Sequence, residues 1–523
     1  MKRIQIVRNC ALILLLLAFN ACKKDDAKAV GAKKDKFAID STDITSFYAN
    51  HPELKEYQKE VLSLYNDQGW KYIWYDKEGR NEFAEVLYDR TSQIEVEGVP
   101  AQLPYQKKYE ELFSNERKKP EIDKELLITS MYFFYAHKVY AGIDPKKSKQ
   151  LGWYLPRQKV SYVDYLDELL KDPDLLKKDV DELMPMYYNL RKALNRYRDI
   201  RDNGGWDAIT LSDGKKSLKK GDTGPAVVAL RKRLFLAGDL SRNSASDVFD
   251  NELLAGVRAY QEKQNLNVDG IADAAMIKDL NIPVEARIKT IIVNMERCRW
   301  LAPDIFKQGE FISVNIPSYM LNYVRNGKSA LVSNVVVGKA INRTVVFSGK
   351  ISYLAFSPYW NVPESILEEE IKPAIEKDPD YLEKHNMEWH EERVRQRPGG
   401  DNALGLVKFM FPNQNNIYLH DSPAKSLFNR EERAFSHGCV RVQKARELAQ
   451  MIMKKDQGWS AEQVDEAMSG EEEKSVPLKK KIPVYIAYFT AIADDESGNV
   501  RFYEDVYNRD TRLANMLYQE SLQ

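Results

Sequence analysis

The sequence predicts an α+β protein in which a long helical region precedes a β-rich domain. Before about residue 300, apolar residues recur at helical spacing, as in residues 125–139 and 183–198. From Phe311 onwards the pattern changes to alternation, as in residues 312–316 and 331–338, which is typical of short strands. The 523 residues are sufficient for several domains with separate cores.

The N-terminus has the pattern of an export signal. Three basic residues precede a wholly apolar run at residues 11–19, which is too short to span a bilayer permanently. Ala21 and Cys22 follow, and this arrangement resembles the bacterial lipoprotein signal, which implies a lipidated Cys22 after removal of residues 1–21. An ordinary cleaved signal peptide is the alternative. We therefore expect a periplasmic, membrane-anchored protein, and residues 23–26 also resemble the export tags of some surface lipoproteins.

Charge and cysteine content restrict the class of protein. The chain has 78 basic and 78 acidic residues, so no basic bias indicates a nucleic-acid partner. Of its 4 cysteines, Cys22, Cys298 and Cys439 remain after processing. If Cys22 is acylated, a Cys298–Cys439 bond is the only possible disulfide. We expect Cys298 to be a buried small hydrophobe, so Cys439 is the candidate for a functional thiol.

A small domain follows the helical region. Its features are a Gly-Asp-x-Gly start at residues 221–224, a helix closing at Gly238, the Tyr260-Gln261 pair and a Val-Asp-Gly-Ile turn at residues 268–271. Taken singly these pieces are ordinary helix caps and turns, with Asp222 and Asp250 as the expected caps. In this order they resemble the three-helix peptidoglycan-binding module of secreted wall enzymes. The resemblance implies wall binding, and a purely scaffolding role stays open.

The chemistry is concentrated at residues 436–441, which read Ser-His-Gly-Cys-Val-Arg, and at His420. A cysteine thiol of pKa about 8.5 is mostly protonated at neutral pH, so catalysis requires a base or a positive field to form the thiolate. His420 and His437 are both candidate bases. The residues alone therefore predict an activated cysteine nucleophile without deciding which imidazole serves it.

Flanking motifs identify a family. They lie at residues 359–363, 402–405, 408–413 and 417–421, and together with residues 436–441 they resemble the L,D-transpeptidases of the large class that carries a helical scaffold and a peptidoglycan-binding module. The resemblance implies that Cys439 is the nucleophile, that His420 is the general base and acid, and that the Asp421 backbone carbonyl orients the His420 ring. It further implies support by His437 and Gly438, with oxyanion donors among the amides at Gly438 and Cys439. The residues expected to contact substrate are Tyr418, Asp421, Ser436, Arg441, Trp360 and Asn361. For Arg441, pairing with an acidic neighbour is an equal alternative.

The implied reaction is acyl transfer on tetrapeptide stems of peptidoglycan. The Cys439 thiolate attacks the third-position diamino acid, releases the terminal D-alanine, and passes the acyl group to an amine of a neighbouring stem. The insertion at about residues 360–398 resembles the capping subdomain of this class, which would favour the amine over water. The resemblance implies carbapenem-type β-lactams as covalent inhibitors and no cofactor or metal. Alternatives are an L,D-carboxypeptidase, a cross-link hydrolase, or a non-enzymatic wall-binding scaffold.

Other readings of the site fit the sequence less well. A zinc site of His420, His437 and Cys439 lacks a fourth ligand in the same segment. A papain-like protease places its cysteine before its histidine, and here the order is reversed. A buried structural cysteine would leave both histidines and the flanking motifs without explanation. The expected domains are a tether at 22–45, a helical scaffold at 46–214, the module at 215–282, the catalytic domain at 283–490 and a C-terminal extension at 491–523.

Overall fold

The computed structural model describes residues 37–114, 120–157, 160–172, 183–264, 266–305, 307–493 and 499–520. The expected signal peptide, the Cys22 lipidation site and most of the expected tether lie outside these residues. No helix within the described ranges has both the length and the apolar character that crossing a membrane requires.

The N-terminal region is helical, as predicted. Its elements are α1 (Ser41–Asn50), α2 (Gln58–Asp67), the hairpin of β1 (Tyr75–Asp76) and β2 (Gly79–Arg80), α3 (Glu82–Ser92), α4 (Gln106–Ser114), α5 (Ile122–Ala136), α6 (Pro145–Gln150), α7 (Tyr162–Lys171) and α8 (Pro185–Asp202). Helix α1 begins inside the segment that we expected to be tether. The reason is a capping box, in which Asp40 accepts from the amides of Thr42 and Asp43 while the Asp43 carboxylate accepts from the Asp40 amide.

A buried carboxyl group organises the core of this region. Glu125 on α5 is fully buried and accepts hydrogen bonds from the Tyr65 hydroxyl at 2.8 Å and from the amides of Ile73 at 2.6 Å and Trp74 at 3.2 Å. Burial raises the pKa of Glu125 to about 7, although these hydrogen bonds oppose the shift. The carboxyl therefore joins α5 to α2 and to the chain before the β1–β2 hairpin.

Helices α9, α10 and α11 form the expected three-helix module. Its elements are β3 (Ser217–Leu218), α9 (Pro225–Ala237), α10 (Asn251–Lys263), β4 (Ala272–Asp273) and α11 (Ala274–Leu280). Asp250 caps α10 through the Leu253 amide, as predicted. The prediction for Asp222 is wrong, because Gly224 occupies the N-cap of α9 and Asp222 instead accepts from the Lys219 amide in the preceding turn.

The catalytic region is built on a nine-stranded sheet that follows α12 (Val284–Arg299). The elements are β5 (Glu310–Asn315), β6 (Met320–Arg325), β7 (Lys328–Gly338), β8 (Phe347–Phe356), β9 (Trp360–Asn361), α13 (Glu364–Ile366), α14 (Lys372–Lys377), α15 (Tyr381–Lys384), β10 (Met387–His390), β11 (Arg393–Gln396), β12 (Val407–Met410), β13 (Leu419–His420), β14 (Ala434–Ser436), β15 (Val440–Val442), α16 (Ala445–Gln457), α17 (Ala461–Met468) and β16 (Lys474–Ala487). The strand order is β14-β7-β15-β13-β12-β8-β16-β5-β6, and an extra β6–β7 pairing closes the sheet on itself.

The insertion between β8 and β12 forms a separate cap. Strands β10, β11 and β9 make a three-stranded sheet, and α13, a π-helical turn at Leu367–Ile371, α14 and α15 precede its hairpin. The cap has its own small apolar core, in which Val394 and Ile371 are buried. The cap is therefore a folded unit placed on the catalytic sheet, as the sequence predicted.

The C-terminal segment is part of the main core. It consists of β17 (Ala491–Ala493), β18 (Val500–Phe502) and α18 (Arg509–Glu520). Tyr507 and Leu513 are buried in the same apolar cluster as α8, α12 and the catalytic sheet, and so is Cys298 on α12. The prediction of a buried Cys298 is confirmed. The segment that the sequence suggested as an appended extension completes the catalytic domain.

Stability of the N-terminal region should depend on pH through Glu125. The folded-state pKa of about 7 lies above the ordinary value of 4.5, so the folded state holds the proton more tightly. The free energy of unfolding should fall as pH rises from about 4.5 to about 7, by at most about 3 kcal/mol. Thermal unfolding followed by tryptophan fluorescence should show the decline in the wild type. Glu125→Gln should flatten it, and Glu121→Gln, at an exposed position beside the same helix, should not.

Candidate active site

Strands β13 and β15 bring the predicted site residues together. The two strands are parallel neighbours, with Leu419 opposite Val440 and His420 opposite Arg441. Leu419 and Val440 are fully buried in the core, so the residues on either side of them project from the opposite face of the sheet. That face carries Tyr418, His420, Cys439 and Arg441. One face of a two-strand pairing therefore holds the thiol, an imidazole, a phenol and a guanidinium.

The Cys439 thiol is partly buried and has two close polar neighbours. Its Sγ donates to the Asn416 carbonyl oxygen at 3.7 Å and also lies near the amide and hydroxyl of Tyr418. Burial raises the pKa of Cys439 above its ordinary value, and Tyr418 and the positive charge of Arg441 partly oppose that shift. The resting group at neutral pH is therefore the thiol.

His420 is buried and neutral. It is 4% exposed, and burial, followed by the charge of Arg441, lowers its pKa to about 3. A neutral imidazole can accept a proton from the neighbouring thiol. Nδ1 forms no hydrogen bond of ordinary geometry with the described residues, but the backbone carbonyls of Asp421 and Leu404 lie near enough to the ring to oppose the lowering of its pKa. The orienting role expected of the Asp421 carbonyl stays a prediction.

The Asp421 carboxylate supports the strand rather than facing the site. Its Oδ2 accepts from the Leu406 amide at 3.1 Å, and its Oδ1 accepts from Lys425 Nζ at 2.5 Å. A Cβ at Gly405 would lie 2.5 Å from the Asp421 Cβ, and Gly405 has φ +63°, so this turn requires glycine. These contacts explain the Asn-Ala-Leu-Gly motif: it holds the residue that follows His420. Contact between Asp421 and substrate stays a prediction.

Ser436 has a structural role in the catalytic loop. Its hydroxyl accepts from the Gly438 amide at 3.1 Å and donates to the Cys439 carbonyl at 2.6 Å, and the side chain is 2% exposed. These bonds commit the hydroxyl to the loop itself, and contact between Ser436 and substrate stays a prediction. Gly438 has φ +120°, which favours glycine. Because its amide is already bonded, Gly438 does not supply an oxyanion donor through N–H, whereas the Cys439 amide has no partner among the described residues.

Thr344 and Tyr507 hold the same loop, and the sequence analysis missed both. The Thr344 hydroxyl donates to the Gly438 carbonyl at 2.9 Å and accepts from the Gly338 amide at 2.9 Å. The Tyr507 hydroxyl donates to the Gly338 carbonyl at 2.7 Å and accepts from the Thr344 amide at 3.2 Å. Across a trans peptide the carbonyl and the following amide point in opposite directions. Thr344 therefore fixes the direction in which the Cys439 amide points.

The cap reaches the catalytic loop through His437. This side chain is 42% exposed, and its Nε2 lies 3.5 Å from Oε1 of Glu370 in the π-helical turn of the cap. Asn361 pairs with Arg395 in the cap sheet and, with Tyr418, lines a cleft of about 300 Å³ beside Asn416. The structure thus places Asn361 in the same cleft as Tyr418 and Asn416, the two residues that neighbour the thiol. Trp360 instead packs against the small core of the cap.

Arg441 is a cation that forms no ion pair within the part of the chain that the structure describes. Its side chain is partly buried, and its Nε has no hydrogen-bond partner among the described residues. Burial lowers its pKa, while the neighbouring Cys439 opposes the shift. Of the two roles considered for Arg441, the pairing with an acidic neighbour is not formed. The guanidinium remains available to an anionic group that enters the site.

Family models match three parts of the chain. Residues 309–466 match an L,D-transpeptidase catalytic domain, residues 59–194 a scaffold domain and residues 223–280 a peptidoglycan binding domain. The chain carries an L,D-transpeptidase catalytic domain. All the residues of the candidate active site named in this subsection, except Tyr507, lie within residues 309–466. The resemblance seen in the sequence is therefore confirmed, and the scaffold and wall-binding modules accompany it.

Curated relatives agree with this assignment over part of the chain. A protein of Haemophilus influenzae named "Putative L,D-transpeptidase" is 34% identical over 293 residues, which is 51% of this chain and 57% of that protein. N-acetylmuramoyl-L-alanine amidase CwlL of Bacillus licheniformis is 44% identical over 64 residues, 12% of this chain and 18% of the amidase. The chain therefore spans little more than half the length of the first relative and less of the second.

Solved structures were compared as well. The L,D-transpeptidase from Xylanimonas cellulosilytica (residues 123-326) is 15% identical with a TM-score of 0.18 and covers 53% of this chain and 100% of its own. The L,D-transpeptidase of Stackebrandtia nassauensis is 14% identical with a TM-score of 0.21, covering 53% of this chain and 97% of its own. Because these TM-scores are low, the assignment of an L,D-transpeptidase catalytic domain rests on the sequence matches alone.

The pKa shifts predict how Cys439 of the L,D-transpeptidase domain responds to pH. Because burial raises the thiol pKa, the thiolate fraction should rise about ten-fold per pH unit from pH 6 to pH 8. No inflection should appear near pH 6.5, because His420 stays neutral over this range. The measurement is the rate of alkylation by iodoacetamide, located by peptide mass spectrometry.

Two controls accompany this measurement. Cys439→Ser should abolish the labelling, since the remaining described thiol, Cys298, is fully buried. His420→Gln should leave the shape of the profile unchanged. A plateau or step near pH 6.5 in the wild type that disappears in His420→Gln would show that the imidazole titrates there, contrary to its buried environment.

Proposed function

We propose that this chain is an L,D-transpeptidase that cross-links diamino acids of neighbouring peptidoglycan stems through a thioester on Cys439. One observation carries the proposal: a free thiol and a neutral, buried imidazole share one face of the β13–β15 pairing. The family of residues 309–466 supports the reaction class, and the peptidoglycan binding domain in the same chain supports the substrate.

The first step is acylation of Cys439. His420 takes the thiol proton, and Sγ attacks the carbonyl carbon of the third-position diamino acid in a tetrapeptide stem. The oxyanion that develops accepts a hydrogen bond from the free Cys439 amide. Collapse of this tetrahedral intermediate breaks the peptide bond to the terminal D-alanine, and the amine of the D-alanine leaves with the proton from His420. Since Sγ now bonds to the Asn416 carbonyl, it must first turn towards His420, a change that substrate binding can bring about.

The second step transfers the acyl group. The side-chain amine of a neighbouring stem attacks the thioester carbonyl, and His420 takes a proton from that amine. The Cys439 thiolate then leaves, and His420 gives it this proton, which restores the thiol. Water competes with the amine for the thioester. We propose that the cap, which reaches the loop through His437 and Glu370, limits the access of solvent to the thioester once substrate is bound. The cap therefore supports cross-linking over hydrolysis.

Binding of the donor stem falls to Arg441 and the neighbouring cleft. The unpaired guanidinium suits a carboxylate of the stem, and a carboxylate bound there also satisfies its buried Nε. Asn361, Asn416 and Tyr418 line the adjacent cleft and offer polar groups for the peptide backbone. Carbapenem-type β-lactams present a strained carbonyl beside a carboxylate, so we propose that they acylate Cys439 in the same position.

Location follows from the substrate. A peptidoglycan-acting enzyme works in the cell envelope, and the peptidoglycan binding domain supports that location. We propose that the protein acts in the periplasm and that a lipid on Cys22 anchors it to a membrane.

The products decide between cross-linking and trimming. The chain without residues 1–22, incubated with purified disaccharide-tetrapeptide, should form a dimer lacking one D-alanine, detected by mass spectrometry. A tripeptide alone would show L,D-carboxypeptidase action, and release of monomers from purified dimers would show a cross-link hydrolase. If the wild type gives no product and Cys439 resists acylation by a carbapenem, the chain is not an enzyme of this class. A cellular phenotype unchanged by Cys439→Ala would indicate a wall-binding scaffold.

His420 should be the base. Replacing it with alanine removes the proton acceptor, so the acylation rate should fall about 10²- to 10⁴-fold. His437→Ala is the matched control, and its effect should be much smaller, because His437 contacts the cap from an exposed position. Single-turnover acylation measured by mass spectrometry compares the two variants. Full activity in His420→Ala would assign the base role to His437.

Thr344 should position the Cys439 amide. Thr344→Val keeps the shape but leaves the Gly438 carbonyl and the Gly338 amide unpaired, so kcat should fall about ten- to hundred-fold with little change in KM. Thr344→Ser restores the hydroxyl and should keep kcat within a few-fold of the wild type. If Thr344→Val lowers the melting temperature but retains the wild-type kcat, Thr344 stabilises the fold and does not position the amide.

A further inference from the structure

A five-residue loop, residues 339–343, borders the segment that carries the thiol. It follows β7, which pairs with β14 on one side and with β15 on the other. The Asn342 carbonyl oxygen lies 3.8 Å from the position that a Cβ on Gly438 would take, and Gly438 directly precedes Cys439. The cleft beside Asn416 adjoins β12 and β13, on the opposite side of β15. The thiol therefore lies between that cleft and this loop, which we call the rim loop.

Close backbone contacts fix the shape of the rim loop. The Lys339 amide donates to the Ser436 carbonyl at 2.9 Å, which joins the loop to the end of β14. The Asn342 amide donates to the Lys339 carbonyl at 3.0 Å and closes the turn. A Cβ at Gly338 would lie 2.0 Å from the Asn342 carbonyl oxygen, so this close approach requires glycine. The loop therefore presents its side chains from a defined backbone.

The rim loop exposes one apolar and two cationic side chains. Ile341 is 86% exposed, the highest value among the exposed large apolar side chains of the described residues. Lys339 and Arg343 are exposed on either side of it and form no ion pair with any described residue. The Arg343 Nε donates to the Ala340 carbonyl at 3.0 Å, and its terminal nitrogens face no described acceptor. Single exposed residues of these types are ordinary. Their position on a fixed turn beside the thiol is what indicates a ligand.

The proposed reaction requires a second peptide near the thioester. The donor stem occupies the cleft beside Asn416, so the rim loop borders the side of the thiol that remains for the acceptor. An acceptor stem ends in a free carboxylate, and its attacking amine stands at the end of a methylene side chain. Exposed cations attract the carboxylate, and Ile341 offers an apolar contact to the methylene groups. We propose that the rim loop binds the acceptor stem, with Lys339 and Arg343 on its carboxylate.

This inference rests on the proposed function and extends it to the second substrate. Ion pairs between exposed groups are individually weak, so two cations acting on one stem should change acceptor binding by about three- to ten-fold. Thioester formation uses the donor alone and precedes the arrival of the acceptor. The rim loop therefore affects the choice between amine and water, and leaves acylation of Cys439 unchanged.

The test measures the fate of the thioester in the full-length chain. Disaccharide-tetrapeptide is the donor, and an isotopically labelled disaccharide-tripeptide, which has no D-alanine to release, is the acceptor. Mass spectrometry gives the ratio of labelled dimer to unlabelled tripeptide. Lys339→Ala with Arg343→Ala should lower this ratio about three- to ten-fold at subsaturating acceptor. Lys339→Arg with Arg343→Lys keeps both charges and should keep the ratio. Lys55→Ala with Lys59→Ala, a matched loss of two exposed cations on the scaffold, should leave it unchanged.

A second acceptor isolates the effect of charge. When the carboxylates of the labelled tripeptide are amidated, the wild-type ratio should fall to about that of the double alanine variant, and the two proteins should no longer differ. An equal difference between them with both acceptors would show that the alanine substitutions distort the catalytic loop, which overturns the proposal. Carbapenem acylation of Cys439 should keep the wild-type rate in the double alanine variant, and a slower rate counts against the proposal in the same way.

The remaining outcomes are also decisive. A ratio that the double alanine variant leaves unchanged overturns acceptor binding by the rim loop. If that variant instead loses binding to vesicles of anionic phospholipid while its ratio is unchanged, the loop contacts a membrane surface. A wild type that forms neither dimer nor carbapenem adduct contradicts the proposed function itself. A wild type that forms both, with a ratio insensitive to the loop, contradicts this inference alone.

Discussion

The parallel pairing of β13 with β15 is the constraint on which the site depends. Each strand is very short, and a shift of one residue would turn His420 towards the core and Leu419 towards the site. Neighbours on both sides prevent the shift: β12 pairs with β13, and β7 pairs with β15. Strands in the centre of a closed sheet therefore determine the position of the site. Only the few residues of the loop that carries Cys439 need a specific conformation of their own.

Charge balance in the site follows from that register. Arg441 lies opposite His420, and its positive charge favours the thiolate of Cys439 while it disfavours the imidazolium of His420. The resting pair is therefore a thiol and a neutral imidazole. A carboxylate that bound Arg441 would weaken both effects, raising the proton affinity of the His420 ring and of the Cys439 thiolate together. Under the proposed function, a single guanidinium that pairs with no carboxylate of the described residues would therefore connect substrate binding to the charge state of the thiol and the imidazole.

The sequence predicted more of the fold than of the site. Periodicity gave the helical region, the three-helix module and the change to strands, because each is a local pattern. The pairing of Cys439 with His420 came from motifs. The roles of Thr344 and Tyr507 could not have been predicted, because a threonine and a tyrosine in unrelated segments meet only after the sheet closes. The loop bonds of the Ser436 hydroxyl could not have been predicted either, because no motif records which groups a side chain contacts within its own loop.

Direct contacts join the peptidoglycan binding domain to the L,D-transpeptidase domain. The Arg196 guanidinium on α8 donates to the Leu236 carbonyl in the module at 2.8 Å. Arg287 on α12 pairs with Asp279 of the module and lies 4.3 Å from the centre of the Phe502 ring. A flexible linker would raise the local concentration of stems without orienting them. A module held by α8, α12 and the C-terminal hairpin instead keeps one orientation relative to the strands that carry Cys439. Under the proposed function, the contacts of Arg287 would therefore influence which stems reach Cys439.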